Sequence, residues 1–345
     1  MIPLIAAQRF IRKTLLALGL LTSLSLASAC QQAAAPRSDE VTFAVVIPDG
    51  ASEAESAWRT YLEDMASLTG LKIKPNFAAD DDASVKAMHN NRVQAGLFSN
   101  TAALNAVRDA SAYVIARASD PTAPDGYRSV IVTRTDSGLT LAHLMACSGG
   151  LRFGMGAEAS LAGNQAPLTY LFLPEKTDPG TCFASVDRSE PTNQINGLIT
   201  GKLDATVSNS IALQRFTTAS PKEAARLKVI WSSPLLPDPP LLLRKDLDPA
   251  TREKLRSFIL SYGTGDGPEA ERQRGVLARL GLGAFQPADD SHLLPMREME
   301  AAQRLIAVRK TNDLETLAQA EKAFETIAAQ RRALAKPVEA PADPL

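Results

Sequence analysis

Short apolar runs alternate with segments of helical periodicity along most of this chain, and that alternation leaves few folds open. A continuous apolar run is a strand covered on both faces, and helices are what usually cover it. Val41 to Ile47 (VTFAVVI) reads as such a strand, closed by Pro48-Asp49-Gly50. Ser52 with Glu55 has the pattern of a capping box, after which Trp58, Leu62, Met65 and Leu68 recur on one helical face until Gly70. Strands are expected over Leu71 to Phe77, Val93 to Phe98, Val114 to Ala118 and Tyr127 to Thr133, with helices over Ala83 to Asn91 and Ala102 to Ala110. A second α/β series starts near Leu141. Its strands are Leu151 to Gly154, Phe183 to Asp187, Ala205 to Val207 and Lys228 to Trp231. A proline-rich stretch, 234–240, then precedes strand Leu241 to Arg244 and three helical segments, the last over Leu314 to Ala335.

Two α/β lobes follow from this order. The first is expected over 41–137 and 234–311, the second over 138–233, with a C-terminal helix and disordered tail over 312–345. The chain crosses between lobes near 134–140 and 232–240, which places a ligand cleft between them.

Composition removes several functions. Lys plus Arg (37) nearly balance Asp plus Glu (38), without a basic block, so no nucleic-acid partner is expected. Three scattered histidines (His89, His143, His292) and the lack of HExxH, CxxC and GxSxG motifs leave no zinc or hydrolase chemistry. No nucleophile–base pair is visible, so the chain is expected to be no enzyme, with no cofactor and no metal. Gly154-Met155-Gly156-Ala157-Glu158-Ala159 does fit a dinucleotide fingerprint, with Asp187 ending the next strand. Export argues against it.

The export signal is at the start. Arg9, Arg12 and Lys13 precede an apolar run from Thr14 to Leu26, then Ala27-Ser28-Ala29 and Cys30. A signal peptide over 1–29 is expected, and the run is short for a bilayer span. Cys30, behind small residues and with Leu26 four places before it, resembles a bacterial lipobox, so lipid attachment at Cys30 and a tether over 30–40 are expected. Ordinary cleavage after Ala27-Ser28-Ala29 is the alternative. Export also allows a disulfide: if the strands after Cys147 and Cys182 are parallel neighbours, both cysteines lie at one end of the sheet. The alternative is two small buried thiols.

Several longer stretches point further. Gly126-Tyr127-Arg128-Ser129-Val130-Ile131-Val132, Gly201-Lys202-Leu203-Asp204-Ala205, Val229 to Pro237 (VIWSSPLLP) and Arg244-Lys245-Asp246-Leu247 resemble, in order, the phosphate/phosphite/phosphonate-binding proteins of ABC importers. The resemblance implies a two-lobed α/β type II periplasmic-binding-protein fold, each lobe a mostly parallel sheet flanked by helices. It further implies a periplasmic monomer that takes a small anionic solute and hands it to an ABC permease membrane subunit.

Carried over residue by residue, the resemblance gives a thinned site. Ser160-Leu161-Ala162-Gly163 stands where the family has a Ser-Thr-Ser-Gly turn at a helix N-terminus, a position that favours anions. Two hydroxyls are missing, and Asn164 is the candidate substitute. Asp81 stands where the family has an aromatic residue, and Phe98-Ser99-Asn100 keeps only the asparagine of a Trp-Tyr-Gly-Asn turn. Thr192, Asn193, Asn209 and Asp238 complete the candidate contacts. Each donor lost to a charged ligand costs about 1.5–3 kcal/mol. The reading is a solute-binding lipoprotein for a phosphonate, phosphite, phosphate or related oxyanion. Its alternative is a diverged binding fold with a sensory or accessory role.

Overall fold

A computed structural model describes residues 39–47, 51–123, 126–311 and 313–334. The expected signal peptide, the lipid-attachment site Cys30, nearly all of the tether and the tail beyond 334 lie outside the described residues. Among the described residues, no helix is long and apolar enough to cross a membrane.

Eleven strands are described, β1 (Glu40–Val46), β2 (Lys72–Ala78), β3 (Ala95–Leu97), β4 (Ala112–Arg117), β5 (Ser129–Arg134), β6 (Arg152–Met155), β7 (Ser185–Arg188), β8 (Ala205–Asn209), β9 (Leu227–Ser232), β10 (Pro240–Arg244) and β11 (Gln286–Pro287). They form one sheet of order β11-β4-β10-β3-β1-β2 and another of order β7-β6-β8-β5-β9. In the first, β1 pairs in parallel with β2 and β3. In the second, β6 pairs in parallel with β7 and β8. These are the local βαβ units.

Both sheets are mixed rather than mostly parallel, and the cause is the crossings. β5 follows the first crossing and runs antiparallel between β8 and β9. β10 follows the second and runs antiparallel between β3 and β4. Each sheet thus receives a reversed strand from the other side. The first crossing therefore falls between β4 and β5, not near 134–140, and the expected first lobe ends before Ser129. Where the two crossings meet, Tyr127 pairs with Leu236, whose N–H donates to the Tyr127 carbonyl at 2.8 Å.

The apolar patterns explain the cores. Leu241, Leu242 and Leu243 of β10 are fully buried, as a strand covered on both faces requires. Helix Ser52–Thr69 buries Trp58, Tyr61, Leu62 and Met65 against the first sheet. Its expected capping box is absent: Ala51 is the N-cap and makes no side-chain bond, while Glu55 pairs with Arg59 at 2.6 Å. One turn further on the helix offers Glu55 a cation, which competes with the backbone. In the second lobe Phe153 stacks on Phe183 at 4.3 Å, with Phe172 edge-on to both. Cys147 and Cys182 form a disulfide beside the parallel neighbours β6 and β7.

Gly154 is a packing glycine. A Cβ there would lie 1.7 Å from Gln194 Oε1 and 2.2 Å from Thr206 Oγ1. Gln194 is buried, donates to the Met155 carbonyl (2.8 Å) and accepts from Thr206 (2.6 Å). The fingerprint glycine thus serves a buried amide. Gly154→Ala is expected to cost about 3 kcal/mol in urea unfolding, since overpacking must also break those bonds. A loss under about 0.5 kcal/mol would show that Gln194 moves aside freely.

The C-terminal helix joins the lobes. Leu314–Leu334 lies along Leu294–Val308, and together they enclose Leu173 of the second lobe with Ala302, Leu305 and Ala320. Glu298, 1% exposed, accepts from the Tyr170 hydroxyl (3.0 Å) and from Arg331. The Arg331 guanidinium also sits 5.1 Å from the centre of the Tyr170 ring.

Candidate functional site

Parallel β1, β2 and β3 send their carboxyl ends to one edge of the first sheet, where such sheets bind ligands. Helix Asp81–His89 starts after β2 and helix Asn100–Asp109 after β3. Asp80 caps the former by accepting from the Ala83 N–H at 2.7 Å. Asp81, one residue on, accepts from the Ser99 hydroxyl, which itself caps the next helix through the Ala102 N–H. Asn100 donates to the Pro237 carbonyl at 2.8 Å, and its Oδ1 is buried with no partner among the described residues. Phe98 is buried in the apolar cluster beneath. The structure therefore brings Asp81, Ser99 and Asn100 together as a wall rich in acceptors.

The second-lobe half is built on the helix over 161–172, wound largely as a π-helix. Ser160 is its N-cap, and its hydroxyl accepts from the Gly163 N–H at 3.1 Å. Gly163 is pressed against Gly156: a Cβ on Gly163 would lie 2.9 Å from the Gly156 Cα. Asn164 is buried and spent locally, since its amide donates to the Glu158 carbonyl (3.0 Å) and its oxygen accepts from Arg188 (2.8 Å). It does not replace a missing donor. Asn209 caps helix Ser210–Ala219 through its Oδ1. Thr192 and Asn193 are exposed on the first turn of helix Pro191–Ile199.

A cavity of about 40 Å³ lies here, lined by Ser160, Gly163, Ser189, Glu190, Ser208 and Asn209 among others. Ser208 is 2% exposed, and among the described residues its hydroxyl has no partner. Sequence reading missed Ser208 and Ser189. The signal for Ser208 is slight, a serine on the last residues of an apolar strand. The volume suits a few waters, against several hundred Å³ for ordinary small-molecule sites. All its lining residues come from the second lobe. The two half-sites do not share it.

What lies between them is apolar. Ala162 and Ala166 join Phe98, Leu236, Met296 and Met299 in one buried cluster, with Leu161 packed against it. The positions that lack hydroxyls thus cement the lobes together.

Asp238 belongs to a different place. It pairs with Arg117 at 2.8 Å, and its carbonyl meets a His292 ring nitrogen at 2.8 Å. Both border a cavity of about 990 Å³ beside the crossings. Burial lifts the Asp238 carboxyl to about 6, against the pull of Arg117. Burial also lowers His292 and pushes Tyr127 up to about 12. A carboxyl raised on folding stabilises the fold below its unfolded value and loses that contribution as pH climbs through the folded one. Relative to Asp238→Asn, the natural protein is therefore expected to lose on the order of 2 kcal/mol between pH 4 and pH 7. Urea unfolding at four pH values tests this, and parallel curves for the two proteins would refute it.

Among the described residues, no group of three or more His, Cys, Asp or Glu side chains is placed to hold a metal ion. Comparison with known proteins gives a consistent picture. A family model described as ABC transporter, phosphonate, periplasmic substrate-binding protein matches residues 43–293. The phosphonates-binding periplasmic protein of Escherichia coli (strain K12) is 28% identical over 275 residues, which cover 79% of this chain and 80% of that one. A crystal structure of a binding component of an ABC phosphonate transporter from Pseudomonas aeruginosa superposes with a TM-score of 0.60 at 27% identity, covering 85% of this chain and 98% of that one. A Prochlorococcus marinus protein solved with methylphosphonate shares the fold, with a TM-score of 0.54 at 16% identity over 76% and 97% of the two chains.

Proposed function

Because the chain belongs to the periplasmic substrate-binding proteins of phosphonate ABC transporters, we propose that it captures a small dipolar phosphonate between its lobes and delivers it to a permease. The protein works as a monomer held to the membrane by a lipid on Cys30, and the lobes part about the paired crossings to admit the ligand. The observation that supports this most is the buried Ser208 hydroxyl, unpartnered among the described residues and beside the helix N-terminus at Ser160. It supplies one donor where two hydroxyls are missing, and the helix dipole favours the anionic end. The opposite wall offers Asp81 and the Asn100 oxygen, unpartnered among the described residues, and both suit a donor. An anion at one end and an ammonium at the other satisfies both walls.

Isothermal calorimetry on the full chain carrying Cys30→Ser tests this with phosphate, phosphite, methylphosphonate and 2-aminoethylphosphonate. The amino compound is expected to bind tightest. Ser208→Ala should weaken it about tenfold, the value of one hydrogen bond to a charged group. Asp81→Asn should remove its advantage over methylphosphonate. Flat traces for all four from folded protein would favour the second reading, an accessory or sensory lipoprotein. The small cavity and the apolar contact of Ala162 and Ala166 across the cleft support that alternative.

A further inference from the structure

A cleft of about 770 Å³ opens between the second lobe and the C-terminal helices. Its volume is in the range of ordinary small-molecule sites, unlike the cavity at Ser160. One wall comes from residues 168–188 and the other from 306–321, and the latter lies beyond the family match, which ends at 293. The apolar surface comes from the part-buried Leu168, Val186 and Ile306, with the core residue Phe172 behind them. Around it stand Lys176, Arg188, Arg309 and Lys310, against two acids, Asp178 and Glu321.

The charges are unequally matched. Arg309 has Glu321 at 3.7 Å, and Asp178 caps its own short helix by accepting from the Gly180 N–H. Arg188 spends its hydrogen bonds on the Gly156 carbonyl and the Asn164 amide oxygen, neither of which neutralises it. Lys176 and Lys310 are exposed, and among the described residues neither pairs with a carboxylate. An apolar floor beneath a surplus of cations is complementary to a molecule with an apolar body and an anionic head.

We propose that this cleft is a second binding site, distinct from the interlobe site, for a soluble amphiphilic anion such as a medium-chain or aryl carboxylate. The alkyl or aryl body lies on Leu168, Val186 and Ile306, and the head sits between Lys176 and Lys310. Because the walls belong to the second lobe and the C-terminal helices, an occupant touches both sides of the junction that Tyr170, Glu298 and Arg331 close. Arg188 connects the cleft to the turn that carries Ser160, through Gly156 and Asn164.

The test is calorimetry on the full chain carrying Cys30→Ser, with decanoate and with decan-1-ol of the same chain length. Decanoate is expected to bind at least about tenfold more tightly than the alcohol, the sum of two exposed charge contacts. Lys176→Glu with Lys310→Glu should remove that advantage while the melting temperature and the 2-aminoethylphosphonate titration stay as they were. That last readout separates failure here from failure at the interlobe site. If the double charge reversal does not fold, Lys176→Gln with Lys310→Gln takes its place, and since it too removes both charge contacts, most of the roughly tenfold advantage should again be lost. Hydrogen exchange should slow at 172–180 and 306–310 on adding decanoate. No heat with decanoate, equal affinity for the alcohol, or indifference to both lysine pairs would overturn the proposal. So would capture on phosphatidylglycerol vesicles without any binding of free decanoate, which would make the face a membrane contact.

Discussion

Replacing Arg331 with methionine is expected to destabilise the protein by about 3 to 5 kcal/mol. Its partner Glu298 has a side chain only 2% exposed and would keep just the Tyr170 hydroxyl. A buried carboxylate deprived of its cation cannot recover its hydration, so the cost greatly exceeds that of a surface pair. Glu298→Met in the same protein should restore most of the loss, because two well-packed apolar side chains can replace a buried pair at little cost. Chemical denaturation of the two single variants and the double one gives the coupling. A single variant within about 1 kcal/mol of the natural protein would mean that water already reaches Glu298.

The second large effect concerns the second lobe. Cys147 and Cys182 are 35 residues apart in sequence, and joining them removes many conformations from the unfolded chain. By the chain-entropy argument, Cys147→Ser with Cys182→Ser should cost about 3 to 4 kcal/mol. The helix Leu141–Met145 and the strand β7 sit next to the bridge and should exchange their amide hydrogens fastest in the variant. Uniform exchange across both lobes, or a loss below about 1 kcal/mol, would contradict this account.

Much of the fold was legible because it is local. Strand β10 is an unbroken apolar run, Asp80 stands at a helix start, and Gly70 ends helix Ser52–Thr69 in the left-handed region that glycine adopts readily. Asp204, in the turn before strand β8, pairs with Arg152 at 2.8 Å. What escaped was set by distant partners. The pattern of β5 is the same whichever sheet it joins, and only its pairing with β8 and β9 decides. The capping box failed because Arg59 lay within reach of Glu55.

The site was less legible than the fold. Asp81, Ser99 and Asn100 do gather, as do Ser160, Gly163 and Asn209, but in separate places. Asn164 and Asp238 turn to local partners, Arg188 and Arg117. A sequence pattern names residue types, whereas the bonding of Ser208 depends on what every neighbour has already bonded to. The triad of Tyr170, Glu298 and Arg331 spans 128 and 33 residues, beyond any periodic signal.

That triad also bears on timing. On the proposed function, opening the lobes to a solute parts Tyr170 from Glu298 and Arg331, so exchange would run no faster than this clasp releases. The measured dissociation constant is then the intrinsic one divided by the fraction of molecules standing open. On that proposal a firm clasp slows loading and emptying alike, which suits a holder of scarce cargo more than a rapid shuttle.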